Sequence, residues 1–303
     1  MQSRWSLCGL ALLAALLAAC GDGDSGGTGG NNSAPKTYAI LSAFPAELAA
    51  VLEHVDVDET RQVEGRTVRV GHLGKTQVIA AMTGIGLLNA AMTTNIILDN
   101  FAVDGVIVSG VAGSPNRIGD VVVPQAWAAD DNVAYAADTG WLALARRAAT
   151  HDATSLDHCT MVPTHQNQVV CLTFQPAILV GGIGHSSDTF GSTPFQCTPT
   201  GGDVFGCDVA QTHAGLHRGA GAPPLSTRGV ADDELVSSDM ETAAIGRAAA
   251  EHGVPYIAFR ADSDGADDPL GLPGFPTQFF AYYPLAAHNA AAAATDFVQR
   301  LPR

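Results

Sequence analysis

The sequence predicts an α/β fold, with a central mixed β-sheet flanked by helices in three layers. Three observations carry this reading. Short apolar runs without strict polar alternation recur along the chain, as strands covered on both faces require. Stretches with helical periodicity separate those runs. Hydrophobic residues make up 47% of the chain and charged residues 15%, which supplies material for a substantial core.

The elements follow in order. Tyr38 to Ser42 (YAILS) is a buried strand. Pro45 to His54 is a helix whose proline suits the first turn. Val68 to Val70 and Gln77 to Met82 (QVIAAM) are strands. Gly86 to Asn100 is a helix, with Leu87, Ala90, Ala91, Thr94 and Leu98 near one face. Gly105 to Ser109 (GVIVS) and Asp120 to Val123 are strands, and Trp141 to Ala149 is helical. Ala177 to Val180 (AILV) is a strand. Met240 to His252 is a helix closed by Gly253 and Val254-Pro255. Pro255 to Arg260 (PYIAFR) is a strand, and Gln278 to Leu301 is an alanine-rich closing helix with a break expected at Pro284.

The N-terminus reads differently. Residues 1–19 have a positive Arg4, an apolar stretch from Leu7 to Leu17 and small residues before Cys20, the layout of an export signal too short to span a membrane permanently. Leu17-Ala18-Ala19-Cys20 resembles the lipobox of bacterial lipoproteins, which implies cleavage before Cys20 and lipidation of its thiol. Residues 20–36, rich in Gly, Ser and Asn, make a flexible tether. The body is then a single domain over 37–303. These features place it in the cell envelope, anchored by lipid and facing the periplasm. Gly21, rather than an aspartate, follows the cysteine and points to the outer membrane.

A net charge of -15 excludes nucleic acid as a partner, because phosphate neutralisation needs Lys and Arg. Cys159, Cys171, Cys197 and Cys207 remain in the mature chain. In an oxidising compartment they suggest two disulfides, with three connectivities open. Cys159–Cys171 with Cys197–Cys207 is favoured, since each closes a short local loop. No C-x-x-C or H-E-x-x-H spacing supports a metal site, and no cofactor is called for. G-x-S-x-G is absent, and G-x-G-x-x-G is incomplete at Gly84 to Asn89. The region at about 141–236 holds all four cysteines and reads as a disulfide-bearing elaboration near the site's mouth.

Ligands of such sheets bind beyond the carboxyl ends of the strands. Those ends carry Glu47, then Gly84 and Gly86, then Gly110, Val111 and Gly113, then Asp188 and Phe190, then Asp262 and Asp264. Isolated acids, close-approach glycines and an aromatic collect at one rim. SSDMETAAIG at 237–246 adds Asp239, Met240 and Glu241; helix capping by Ser238 or Asp239 explains part of that string.

ILSAFPAEL, MTGIGLLNAA, SGVAGSPNRIGDVVVP, SSDMETAAI and FRADSDGAD, in that order, resemble the signatures of the nucleoside phosphorylase/nucleosidase family. The methylthioadenosine/S-adenosylhomocysteine nucleosidases are the nearest look, over most of Tyr38 to Leu301. The resemblance implies the three-layer phosphorylase/hydrolase-like fold and hydrolysis of the N-glycosidic bond of purine nucleosides or 5′-thio-nucleosides. It casts Asp264 as the acid that protonates the purine, with Asp262 and Asp267 as weaker candidates. Glu47 orients the attacking water. Glu241 accepts from the ribose hydroxyls, Met240 packs under the sugar, and Asp239 orients a hydroxyl or caps the helix. Phe190 stacks on the base, and Gly84, Gly86, Gly110 and Gly113 let backbone approach. The family's assembly habits imply a homo-oligomer built through apolar helices. Val111 departs from the family, standing where the nucleosidases usually carry serine. The phosphorylases' phosphate-binding arginines have no clear match; Arg117 is the nearest loop candidate, otherwise a surface residue. Phosphorolysis is therefore the runner-up, and a non-catalytic nucleoside-binding or uptake lipoprotein is the alternative from another class.

Overall fold

The computed structural model describes residues 35–129, 133–151, 154–188, 190–191, 193–209 and 236–302. The leader over 1–19, Cys20 and the tether as far as residue 34 lie outside the described residues.

In chain order the elements are β1 (Thr37–Ser42), α1 (Pro45–Leu52), β2 (Asp56–Val63), β3 (Arg66–Leu73), β4 (Thr76–Met82), α2 (Leu87–Asn100), β5 (Gly105–Arg117), β6 (Val121–Val123), β7 (Ala126–Ala129) and β8 (Ala134–Ala136). There follow α3 (Thr139–His151), β9 (Cys159–Val162), β10 (Gln168–Cys171), β11 (Ile178–Val180), β12 (Ile183–Ser186), α4 (Gly202–Phe205), β13 (Val236–Asp239), α5 (Thr242–Glu251), β14 (Tyr256–Ala266) and α6 (Thr277–Arg300).

All strands but β9 and β10 join one mixed sheet, with the path β2-β3-β4-β1-β5-β13-β12-β7-β8 and with β14, β6 and β11 branching from β5. β1 runs parallel to both β4 and β5, and β14 runs parallel to β5. Successive side chains of a strand point to opposite faces, and here both faces are dry. Ile40, Ile107 and Ile257 join a core with α1, α3 and α6, while Ala39, Leu41, Val106, Val108 and Ala258 join a second core that holds Ala90 and Ile97 of α2 and Ala243, Ile245 and Ala249 of α5. Helix, sheet and helix are thus the three layers expected from unalternating strands.

Several boundaries differ from the sequence reading for identifiable reasons. β5 extends from the expected five residues to thirteen because β14 pairs alongside it as far as Arg117 and Ala266. β2 (DVDETRQV) is almost wholly exposed and has no apolar run to betray it; pairing with β3 makes it a strand. α2 buries Asn89, Ala90, Thr93, Thr94 and Ile97, so its inner face is rotated from the one expected through Leu87, Ala91 and Leu98, which are only half-buried. α6 runs unbroken through Pro284. The segment at 141–236 contributes α3, β11 and β12 to the main architecture. Its additions are the separate β9–β10 hairpin, crossed by Cys159–Cys171, and the stretch closed by Cys197–Cys207.

Candidate active site

β1 delivers the chain into α1, whose third residue is Glu47. Its carboxylate does not face solvent. One oxygen accepts from the Ala43 amide at 2.5 Å and the Phe44 amide at 3.3 Å, fixing the helix entry, and the other accepts from the Val111 amide at 2.7 Å. The backbone at 111 therefore supplies a donor where the valine side chain has none.

β14 ends its apolar run in Arg260, which is buried among three carboxylates. Its guanidinium lies 2.5 Å from Asp239, 3.2 Å from Glu241 and 3.6 Å from Glu47. It also donates to the Val111 carbonyl at 3.2 Å and the Thr242 hydroxyl at 2.9 Å. A buried charge persists only when paired and hydrogen-bonded, and Arg260 meets both conditions. Its part in the site is absent from the sequence reading; the available signal was a guanidinium at the end of an otherwise apolar strand.

The SSDMET string runs from the end of β13 into α5. Ser238 and Asp239 lie on the strand, and the helix begins at Thr242 with Glu241 in the N-cap position, not Ser238 or Asp239. Asp239 still serves that helix end, because its carboxylate accepts from the Thr242 amide at 3.2 Å and from the hydroxyls of Ser186 and Thr242. Glu241 turns the other way and accepts from the Gly86 amide at 2.9 Å. Gly86 has φ of 98°, a conformation a side chain would strain, and that turn aims its N–H at the carboxylate.

Asp264 sits two residues past buried Asp262, where the pairing of β14 with β5 becomes irregular. The Ser263 hydroxyl donates to it at 3.0 Å. A Cβ at Gly113 would lie 2.4 Å from the Asp264 carboxylate, so glycine at 113 makes room for the acid.

These groups open on a cavity of about 570 Å³ lined by Glu47, Val111, Gly113, Phe190, Asp239, Met240, Glu241 and Asp264, together with Phe44, Phe195, Phe205, Phe275, Phe279 and Phe280. Gly110 lies behind this lining, where a Cβ would meet Arg260 and Glu47 at 2.3 and 2.5 Å. Gly84 is not part of it and borders a second cavity beside Asn89. Asp188 ties down the adjoining loop, accepting from the Leu87 amide at 2.6 Å and the Phe190 amide at 3.0 Å. Arg117 is neither a surface residue nor a cavity residue. It is buried, bonded to Asp120 at 3.1 Å, and lies over the Phe174 ring at 4.2 Å. Asp262 is buried outside the lining. Among the described residues, the one cluster with metal-ligand proximity is His158, Cys159 and Cys171, and its two sulfurs are spent on each other in a disulfide.

Burial shifts Glu47, Glu241 and Asp264 in one direction. Desolvation raises Glu47 above the usual carboxylate range, against the opposing pull of Arg260 and three backbone amides. It raises Glu241 to about 8, opposed by Arg260 and reinforced by the charges of Asp239 and Glu47. Desolvation also raises Asp264, with the Ser263 hydroxyl acting against it. Arg260, which burial alone would make less basic, is held above its ordinary value by its three acidic neighbours. The site thus sets Glu47, Glu241 and Asp264, each with a raised proton affinity, near one fixed positive charge.

Comparison with known proteins agrees with this geometry. The description "Phosphorylase superfamily" matches residues 37–173. An uncharacterized Mycobacterium tuberculosis protein, Rv2293c, is 38% identical over 183 residues, covering 55% of this chain and 74% of the relative. The 5′-methylthioadenosine/S-adenosylhomocysteine nucleosidase of Chromohalobacter salexigens is 26% identical over 271 residues, covering 88% of this chain and 98% of the relative. Among solved structures, the corresponding nucleosidase of Neisseria meningitidis in complex with methylthio-immucillin-A superposes with a TM-score of 0.59 at 22% identity, covering 88% of this chain and all of that one. Futalosine hydrolase of Helicobacter pylori gives 0.58 at 19% identity, covering 88% and 98%. With its signature motifs, its three-layer sheet and relatives that span most of its length, the chain belongs to the phosphorylase superfamily.

Proposed function

We propose that the protein hydrolyses the N-glycosidic bond of purine nucleosides or 5′-thio-nucleosides. The observation that carries this reading is the convergence of Glu47, Glu241 and Asp264, from three separate parts of the chain, on one cavity. Cleavage needs a base that leaves neutral, a water held on the opposite side of the sugar, and an acceptor for the ribose hydroxyls. Asp264, whose proton affinity is raised by burial, protonates the purine as the bond from the base nitrogen to C1′ breaks. Glu47 takes a proton from the water whose oxygen bonds C1′. Its raised proton affinity brings it closer to neutral, where a general base works best. Glu241 holds the sugar hydroxyls, and Arg260 fixes both glutamates from behind. The relatives named nucleosidases support the same reading.

Water is favoured over phosphate as the nucleophile because, among the described residues, the ionisable side chains lining the cavity are all acidic and none supplies a cationic clamp for a phosphate dianion. The test is to incubate the soluble domain with methylthioadenosine, adenosine and inosine, with and without phosphate. Free base and free sugar formed without phosphate is the expected result. A sugar 1-phosphate formed only with phosphate identifies a phosphorylase, and tight binding without turnover across the panel identifies a binding protein.

The same proposal places the domain at the cell envelope, tethered through lipid on Cys20. Cys20→Ser releases the protein into the soluble fraction on this reading. An unmodified Cys20 in mature protein isolated from its native host overturns it.

A further inference from the structure

Phe195 and Phe205 each stand two residues before a half of the Cys197–Cys207 disulfide, and both line the cavity. They are links in a continuous chain of rings. Phe190 lies 4.8 Å from Phe195, Phe195 lies 6.0 Å from Phe205, Phe205 lies 6.3 Å from Phe280, and Phe280 lies 5.1 Å from Phe279, centroid to centroid. Without the two middle rings the chain is broken into separate ends, one beside α2 and one on α6.

The segment that carries the middle rings is held by the disulfide together with a small set of contacts to the rest of the fold. The enclosing stretch contains only the single turn α4. Its two arms share one backbone bond, from the Thr198 amide to the Phe205 carbonyl at 2.8 Å. Asn89 donates to the Phe195 carbonyl at 2.8 Å, Arg69 pairs with Asp208 at 2.5 Å, the Tyr283 hydroxyl donates to Asp203 at 3.5 Å, and Val204 is buried in the main core. Phe205 itself is 41% exposed, so packing alone does not fix it.

The geometry points to the Cys197–Cys207 disulfide as a redox-dependent determinant of specificity: oxidised, it holds Phe195 and Phe205 as the outer wall that grips an apolar group on the sugar's 5′ carbon, and reduced, it releases that wall. The inference rests on the proposed nucleoside reading, with Glu241 on the ribose and Asp264 on the base, so that the 5′ substituent extends toward the rings. Reduction moves two electrons and two protons from an added dithiol to the disulfide, leaving two protein thiols and the reductant as its own disulfide. The chemistry at Asp264 and Glu47 is untouched by that step. The effect therefore falls on KM for substrates with apolar 5′ groups. A chain kept reduced before export would hold such nucleosides weakly and gain its grip on oxidation.

The test compares adenosine with a 5′-alkylthioadenosine on the intact oxidised domain, its C197S/C207S form, and a C159S/C171S control. The expected result is that C197S/C207S lowers the preference for the alkylthio compound by about tenfold, the scale of one lost aromatic contact region, mainly through KM. Phe205→Ala with the disulfide intact lowers the preference in the same direction. C159S/C171S keeps the preference of the parent domain. An equal loss for both nucleosides, or no loss, in a C197S/C207S protein that retains its melting transition overturns the inference, as does an equal shift in the control. Calorimetric Kd values for both compounds provide the same comparison without turnover. If the parent domain binds but does not cleave, the hydrolytic reading fails and the specificity inference is still decided by the Kd ratios. If it binds neither compound, both are overturned.

Discussion

At the inner end of the cavity, Arg260 and the carboxylates of Glu47, Asp239 and Glu241 are almost wholly removed from solvent. At its mouth, Phe190, Phe205 and Phe275 leave 36%, 41% and 73% of their surface exposed. The inner end is built from side chains that water would solvate well, and the mouth from side chains that water would drive inward. The difference teaches how the site divides its tasks. Charges that steer a reaction must be fixed, so they are set on β14, β13, α1 and their junctions, where the sheet holds them. Apolar surface that captures a variable substituent is better left adjustable, and it sits on a short stapled segment and the start of α6.

The sharpest way to break this contrast is at the acid itself. Asp264→Asn keeps the shape and removes the proposed proton donor, and a fall in kcat of about 10²–10⁴-fold is expected in a nucleosidase assay. Intact turnover in that variant assigns the proton to another group. Next in size is Arg260→Met, which leaves three buried carboxylates without their counter-ion. We expect a stability loss of about 3–5 kcal/mol in urea unfolding, together with loss of activity. A change under 1 kcal/mol shows that the inner cluster is not held by charge pairing.

A pH series sharpens the same point. Glu241 is raised in the folded state from 4.5 to about 8, so the folded protein binds the proton more tightly than the unfolded chain. Its contribution to stability is fully present below the unfolded value and is lost as pH rises through the window from 4.5 to about 8. Tm measured across that window should fall with rising pH, and Glu241→Gln should flatten the slope. Activity has its own signs: loss at high pH follows deprotonation of Asp264, and loss at low pH follows protonation of Glu47, both displaced upward by burial. The smallest effect is expected at the mouth. Phe275→Ala should change stability by less than about 0.5 kcal/mol, because little surface is buried there. A larger loss identifies Phe275 as part of the core rather than the rim.

The same contrast explains what the sequence made legible. The sheet-built half was readable, since apolar strands and their following glycines and acids recur as short local patterns. The strand-end pattern placed Glu47 and Asp264 at the rim, the family resemblance gave these two and Glu241 their expected roles, and the short spacings favoured the local pairing of the cysteines that the structure shows. Arg260 was not readable as a site residue, because its three partners lie 213, 21 and 19 positions away and only the folded sheet gathers them. Gly84 matched the pattern yet faces elsewhere, since a positive-φ turn at Gly86 decides which amide points inward. The aromatic mouth was mostly unread beyond Phe190. Phe195 and Phe205 carry no periodic signature, and Phe275, Phe279 and Phe280 look like ordinary entry residues of a closing helix.

β14 and β5 run parallel with Ala258 opposite Val108, Arg260 opposite Gly110, Ala261 opposite Val111 and Asp264 opposite Gly113. Between them these two strands carry the counter-ion, the amide that holds Glu47, the acid and the gap that admits it. Sliding one strand past the other by a single residue would turn every side chain of β14 to the other face. The guanidinium would leave its carboxylates in the same movement that withdrew the acid. A chain mispaired here would be burdened with uncompensated buried charge and, on the proposed roles of these residues, inactive, so the electrostatics of the site also proofread the assembly of the sheet.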